Sequence, residues 1–265
     1  MSRRQVLAWA CYDWGNSAFA TAVIAGFFPV FFREYWSAGV DPTVSTFRLG
    51  IANSVGSLVV LSLAPLLGAI ADQGAFKKRF LGGFALVGVL STAGLTLVQG
   101  GAWQVAAALY VLAGVGFSGS NVFYDALILD VSEKRSLDFV SALGFAAGYL
   151  GGGIFFLICV AMLRSPETFG LKDAAQAVRL SFVLTAVWWA IFTVPLLRVV
   201  RERLARRQLR LREATVAGFR QLAATFRRLK HYREVALFLV AYWLYIDGVD
   251  TIVRMAVDFG LALGL

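Results

Sequence analysis

Charge is what this 265-residue sequence has least of: Asp, Glu, Lys and Arg make up 15% of it, against about 25% in soluble domains. With 59% hydrophobic residues and a mean hydropathy of +0.71, that shortage excludes a soluble globular domain of appreciable size. Histidine is almost missing too. His231 stands alone in a charged linker, so a zinc or other metal site has almost no ligands to draw on, and none is expected. The two cysteines, Cys11 and Cys159, fall inside apolar runs and read as buried free thiols. No phosphate-binding glycine loop is present, which removes direct coupling to ATP hydrolysis, and no cofactor is expected. The N-terminus invites a signal-peptide reading, but an uncleaved first span is expected. The run after Ser2-Arg3-Arg4 is too long for a signal peptide, holds Asp13 and Asn16, and lacks a clear small-x-small cleavage site.

What the chain does have is seven apolar runs, at about 8–32, 50–71, 80–98, 103–129, 139–162, 180–197 and 235–257. Each is long enough to cross a hydrocarbon core. The fold class is therefore all-α, a polytopic membrane helical bundle. Residues 1–197 form a six-span bundle, 198–234 a basic linker, and 235–265 carry a seventh span. Counted on alternate sides, nineteen Lys and Arg residues share the side of the N-terminus and linker, leaving six opposite. The positive-inside bias places the N-terminus and linker in the cytoplasm, in an inner plasma membrane if the protein is bacterial.

The net charge of +9 could suggest nucleic acid, but twelve of the basic residues sit in the linker. There Phe219, Leu222, Phe226 and Leu229 recur at helical spacing, with Arg220, Arg227, Arg228 and Lys230 on other faces. That pattern predicts an amphipathic interfacial helix lying on anionic lipid headgroups, with no nucleic-acid partner.

Several residues in the spans are expensive in lipid, at about 2.5–3.5 kcal/mol for a carboxylate at a helix centre. Asp13, Asn16 and Ser17 share one face of the first span, and Thr21 extends it by a turn. Asn121, Tyr124 and Asp125 repeat that spacing in the fourth. Asp247, Asp250 and Arg254 line one side of the seventh, where Asp250 and Arg254 can pair; Asp247 lies near the midplane and is the strongest single candidate. All nine are read as lining a pathway for a small solute or a coupling proton or cation, against the plainer reading of interhelical clasps. Asp13-x-x-Asn16-Ser17 echoes Asp247-x-x-Asp250-Thr251, as repeated transporter halves do. In the fifth span Gly144, Gly148 and Gly152 make two G-x-x-x-G steps, a seam for close helix packing. Asp130 and Asp138 are expected to be solvated loop residues. Tyr12-Asp13 and Tyr124-Asp125 match half of an intramembrane aspartyl protease site. The required Gly-x-Gly-Asp partner is absent, and Gly248-Val249-Asp250 does not supply it, so no enzyme is expected.

Gly68-Ala69-Ile70-Ala71-Asp72-Gln73-Gly74-Ala75-Phe76-Lys77-Lys78-Arg79, after the second span, resembles the loop signature of the major facilitator superfamily, with the second Gly slightly early. Within that superfamily the chain resembles the vacuole effluxer family. The resemblance rests on Tyr12 to Thr21, on Val140 to Gly144 with Gly148 to Gly152, and on Ala241 to Val249. It implies a secondary transporter working by alternating access, with amino acids as a substrate class. It also implies a cytoplasmic gate latched by Asp72 with Lys77, Lys78 and Arg79 beside Gly68. Such transporters carry about twelve spans in two six-span halves. On that expectation this is a first half, a linker and one span of the second. The readings left are a truncated product or incomplete record, or a remnant or half-transporter that needs a partner chain.

Overall fold

The structure, a computed structural model, describes residues 2–73, 76–202, 216, 219–220, 223–225, 227–228 and 231–263. Every regular element among them is helical. Seven helices are long and apolar enough to cross a membrane: α1 (Arg3–Trp36), α2 (Pro42–Gln73), α3 (Lys77–Gly94), α4 (Trp103–Val131), α5 (Leu137–Arg164), α6 (Ala174–Val199) and α7 (Arg233–Ala262). All but α3 outrun the apolar runs in the sequence. The 26 residues of α6 span about 39 Å at 1.5 Å per residue, longer than a hydrocarbon core of about 30 Å. The excess is polar chain that stays helical beyond the apolar layer. Arg48, read from sequence as part of a connection, thus lies within α2, its guanidinium 4.2 Å over the Trp103 ring. Arg179 lies in α6, bonded to the Tyr35 hydroxyl and stacked over its ring.

Local chemistry sets several ends. Asp173 accepts from the Gln176 backbone N–H at 2.7 Å, and the Gln176 side chain accepts from Lys172 N–H, closing the first turn of α6 reciprocally. Asp41 does the same for α2, accepting from the backbone and hydroxyl of Thr43 at 2.8 and 2.5 Å. These bonds hold its carboxyl below its usual value. Gly101 turns the chain between α3 and α4 with φ +82°, a left-handed conformation that suits glycine.

α1 is the central element and is not a uniform α-helix. Arg3–Ala18 is α-helical, Phe19–Phe27 has the wider π repeat, Phe28–Phe31 returns to α, and Phe32–Trp36 is π again. Pro29 lies just after the first wide stretch. It offers no N–H and its ring crowds the preceding turn, which a wider turn relieves. Around α1 the core is largely aromatic. Phe19 meets Trp189 at 5.4 Å, Phe28 stacks on Tyr110 at 3.9 Å, and Trp36 stacks on Phe182 at 5.9 Å. Such contacts hold helices together in lipid through close packing, because the solvent there is as apolar as the side chains.

Small residues let the neighbours approach. A Cβ on Gly116 of α4 would lie 2.5 Å from the backbone N of Gly88 in α3, so these helices touch main chain to main chain. In α5, Gly151 and Gly152 approach the backbone of α1 at Trp14 and Ser17, while Gly144 and Gly148 face α1 side chains.

α7 differs from the other six. Its only buried residue among those described is Asp258, and it leans on the far half of α1 and the start of α2. The side chains of Phe219, Arg220, Arg227 and Arg228 belong to the expected amphipathic linker helix. Its Leu222, Phe226, Leu229 and Lys230 lie outside the described residues, so the stripe is not described as a whole.

Candidate functional site

The polar face of α1 meets α4 midway through the bundle. The side-chain amide of Asn16 donates to the side-chain oxygen of Asn121 at 2.7 Å. About two turns nearer the N-terminus, Trp9 stacks on Tyr124 at 4.3 Å between centroids, with an interplanar angle of 7°, and its indole N–H donates to the Tyr124 carbonyl at 3.0 Å. Ser17 donates to Asp13 at 3.3 Å within α1. These contacts fix the rims of a cavity of about 430 Å³, lined by Trp9, Asp13, Asn121, Tyr124, Asp125, Ile128, Ser141 and Phe145. Two carboxylates thus share one hollow with an amide and an aromatic wall.

The glycines of α5 bear on the same place. A Cβ on Gly144 would lie 2.6 Å from the Trp9 ring and 2.9 Å from the Tyr124 hydroxyl. On Gly148 it would lie 2.6 Å from Ser17 Oγ and 2.9 Å from Asp13 Oδ2, and on Gly152 it would lie 3.1 Å from the Ser17 carbonyl. The Thr21 hydroxyl donates to the Gly152 carbonyl at 3.2 Å. The seam and the polar face of α1 are one interface.

Asp247, Asp250 and Arg254 are elsewhere. They line a second cavity, of about 190 Å³, between α2, α4 and α7, together with Trp243, Asn53, Ser57, Tyr110 and Ser118. Asp250 and Arg254 are not within ion-pairing distance. Arg254 turns instead toward Tyr110, whose hydroxyl donates to Asn53 at 3.0 Å. The nine pathway candidates therefore fall into two groups. Asp13, Asn121, Tyr124 and Asp125 line one hollow, with Asn16 and Ser17 hydrogen-bonded to Asn121 and Asp13, and the three residues of α7 face the other.

In the basic turn after α2 the lysines have partners that the sequence does not show. Lys77 pairs with Asp130 at 3.0 Å and donates to the Ala126 carbonyl at 3.1 Å, tying the start of α3 to the end of α4. Asp130, expected to be solvated in a loop, is in α4 with its side chain 6% exposed. α4 runs on past the apolar run, and Lys77 supplies the charge that lets the carboxylate be covered. Asp138 opens the first turn of α5. Lys78 donates its ammonium to the Val200 carbonyl at 2.7 Å and its backbone N–H to Glu202 at 2.8 Å, tying α3 to the end of α6. Arg79 lies 5.8 Å over the Phe76 ring. Gly68 faces open space, and the Asp72 side chain lies outside the described residues.

One buried acid was missed from sequence. Asp258, in α7, is 1% exposed and accepts from the Thr46 hydroxyl of α2 at 2.6 Å. It lies four residues beyond Arg254, on the stripe begun by Asp247. Cutting the apolar run at residue 257 hid it.

Seven helices of this length and apolarity define an integral multi-pass membrane protein. The chain belongs to the vacuole effluxer Atg22-like family, whose pattern it matches over residues 38–134 and 129–262. It is 38% identical over 265 residues to an uncharacterized MFS-type transporter, YxiO, of Bacillus subtilis, covering 99% of this chain and 61% of that protein. Autophagy-related protein 22 of Eremothecium gossypii is 25% identical over 309 residues, covering 97% of this chain and 59% of the relative. The chain thus spans about three fifths of these relatives. No solved structure matches it.

Proposed function

We propose that this protein forms part or all of a secondary transporter that moves a small solute by alternating access. The observation that carries this reading is the first hollow. Asp13 and Asp125 sit with Asn121 in a cavity of about 430 Å³ within helices long enough to span a membrane. Carboxylates in such helices mark substrate or ion pathways far more often than structural sites. The MFS-type name of the Bacillus relative supports the same class.

The second cavity favours a zwitterion. Arg254 offers a bidentate fork for a carboxylate, Asp250 and Asp247 offer partners for an ammonium, and Trp243 offers a ring face. A small amino acid carries this charge pattern, which agrees with the class implied by the resemblance. Asp247, without a cation paired to it, is the candidate carrier of a coupling proton or cation. The basic linker rests on anionic headgroups at the cytoplasmic face, with the N-terminus on the same side. Flux of labelled amino acids into vesicles carrying the protein tests the reading. Asp247→Asn should abolish flux with membrane insertion intact, and wild-type flux in that variant would overturn the assignment.

A further inference from the structure

α7 is fastened to the bundle at one end only. Among the described residues, no hydrogen bond joins residues 232–250 to the other helices, and Leu237, Phe238 and Tyr245 are 65–69% exposed. Beyond the second cavity the picture reverses. The Asn53 amide donates to the Met255 sulfur at 3.4 Å, Thr46 donates to Asp258 at 2.6 Å, and Arg33 reaches the Asp258 carbonyl at 3.4 Å. Asp258 is the most deeply buried acid among the described residues, yet only one carboxylate oxygen is bonded. Oδ1 is buried without a partner, and Arg33 forms no ion pair with the carboxylate.

We propose that Thr46 and Asp258 form the releasable latch that closes the α2/α4/α7 cavity on the side of the bundle opposite the N-terminus. A permanent clasp would satisfy both oxygens of a buried carboxylate, because each unmet group weakens the packed state. Here one hydrogen bond holds the helices together while the orphaned oxygen favours separation, where water would reach it. That balance keeps the closed and open arrangements close in free energy, as an exchange between two access states requires. Thr46 and Asp258 are positioning residues: they touch neither cavity lining and act by setting the distance between α2 and α7.

The proposal rests on the transporter reading, and its test reads access rather than flux. In a background of Cys11→Ser and Cys159→Ala, Ser57→Cys places a reporter thiol in the cavity. It is labelled with a membrane-impermeant maleimide in vesicles of each orientation. Thr46→Val and Asp258→Ala should each raise labelling from the far side at least threefold, with Thr46→Ser staying at the parental level. Joining Thr46→Cys to Asp258→Cys with a short bifunctional thiol reagent should cut far-side labelling to background and stop flux, both reversibly. Unchanged labelling in Thr46→Val and Asp258→Ala, or far-side labelling that persists after cross-linking, overturns the latch. Labelling that responds without measurable amino-acid flux keeps the latch and removes the solute assignment instead.

Discussion

Asn16 and Asn121, 105 residues apart in the chain, join α1 to α4 by a 2.7 Å hydrogen bond between their side-chain amides, with Asn16 itself 2% exposed. The bond fixes the register in which Asp13 and Asp125 face one hollow. Replacing either asparagine by alanine should lower stability in detergent and shift the two acids relative to each other. A double-mutant cycle should give a coupling of about 0.6–2 kcal/mol, the range seen for such bonds between membrane helices. Additivity of the two single changes would show that the contact carries no energy of its own.

The glycine seam of α5 separates positioning from packing. In Gly148→Ala the new methyl meets the movable ends of Ser17 and Asp13 at 2.6 and 2.9 Å, so those side chains must give way. Flux should fall tenfold or more with little change in thermal stability. Gly151→Ala instead presses on the Trp14 carbonyl at 2.4 Å and should destabilise the protein by about 1–3 kcal/mol. Gly153→Ala enters open space and should be neutral in both measurements.

Lys77 and Asp130 are mostly covered, at 16% and 6% exposure. Removing one partner of a buried pair typically costs about 3–5 kcal/mol, whereas replacing both with apolar groups is often close to neutral. Asp130→Asn should therefore lower the melting temperature more than the double change Lys77→Met with Asp130→Leu. The reverse order would rule out a structural brace at this position.

The Asp41 cap has a pH signature. Its carboxyl is held below the usual value of 3.8 by two bonds from Thr43. A depressed folded-state value stabilises the protein above that usual value, and the benefit is lost as the pH falls through the lower folded value. Thr43→Val should bring the Asp41 titration, followed by carbon NMR, up toward 3.8 and reduce this group's share of the stability lost as the pH falls below that value.

Much of the architecture was legible because membrane helices announce themselves by length and apolarity. All seven spans are legible, and so is a close-packing seam at Gly144, Gly148 and Gly152, but not that the seam lies against Asp13 and Ser17 of α1. Three-dimensional placement was harder to read. Spacing groups residues on one helix, so Asp13 and Asn16 were correctly taken together. It cannot say that Asp247 faces a different hollow from Asp13, nor that Arg254 turns to Tyr110 rather than Asp250. The Lys77–Asp130 pair was hidden for another reason. From sequence Asp130 reads as a solvated loop residue and Lys77 as a gate partner of Asp72, and nothing in the spacing says that the two lie within 3.0 Å. Asp258 was missed because a hydropathy window stops where polar residues begin, whereas a helix does not.

The change of repeat in α1 falls where its neighbours change. Up to Ala18 the helix is packed against α5 and α6, and from Phe19 onward α7 joins them. A rod of constant pitch would have to carry one stripe of side chains along one set of partners. Widening the coil at Phe19–Phe27 shifts the phase of the stripe, so the polar face of Asp13, Asn16 and Ser17 in the first half and the aromatic ridge of the second can point to different companions. α1 behaves less as a strut than as a gear between two sets of teeth. A substitution at Pro29 would be felt first as a misalignment of α7, well away from the residue itself.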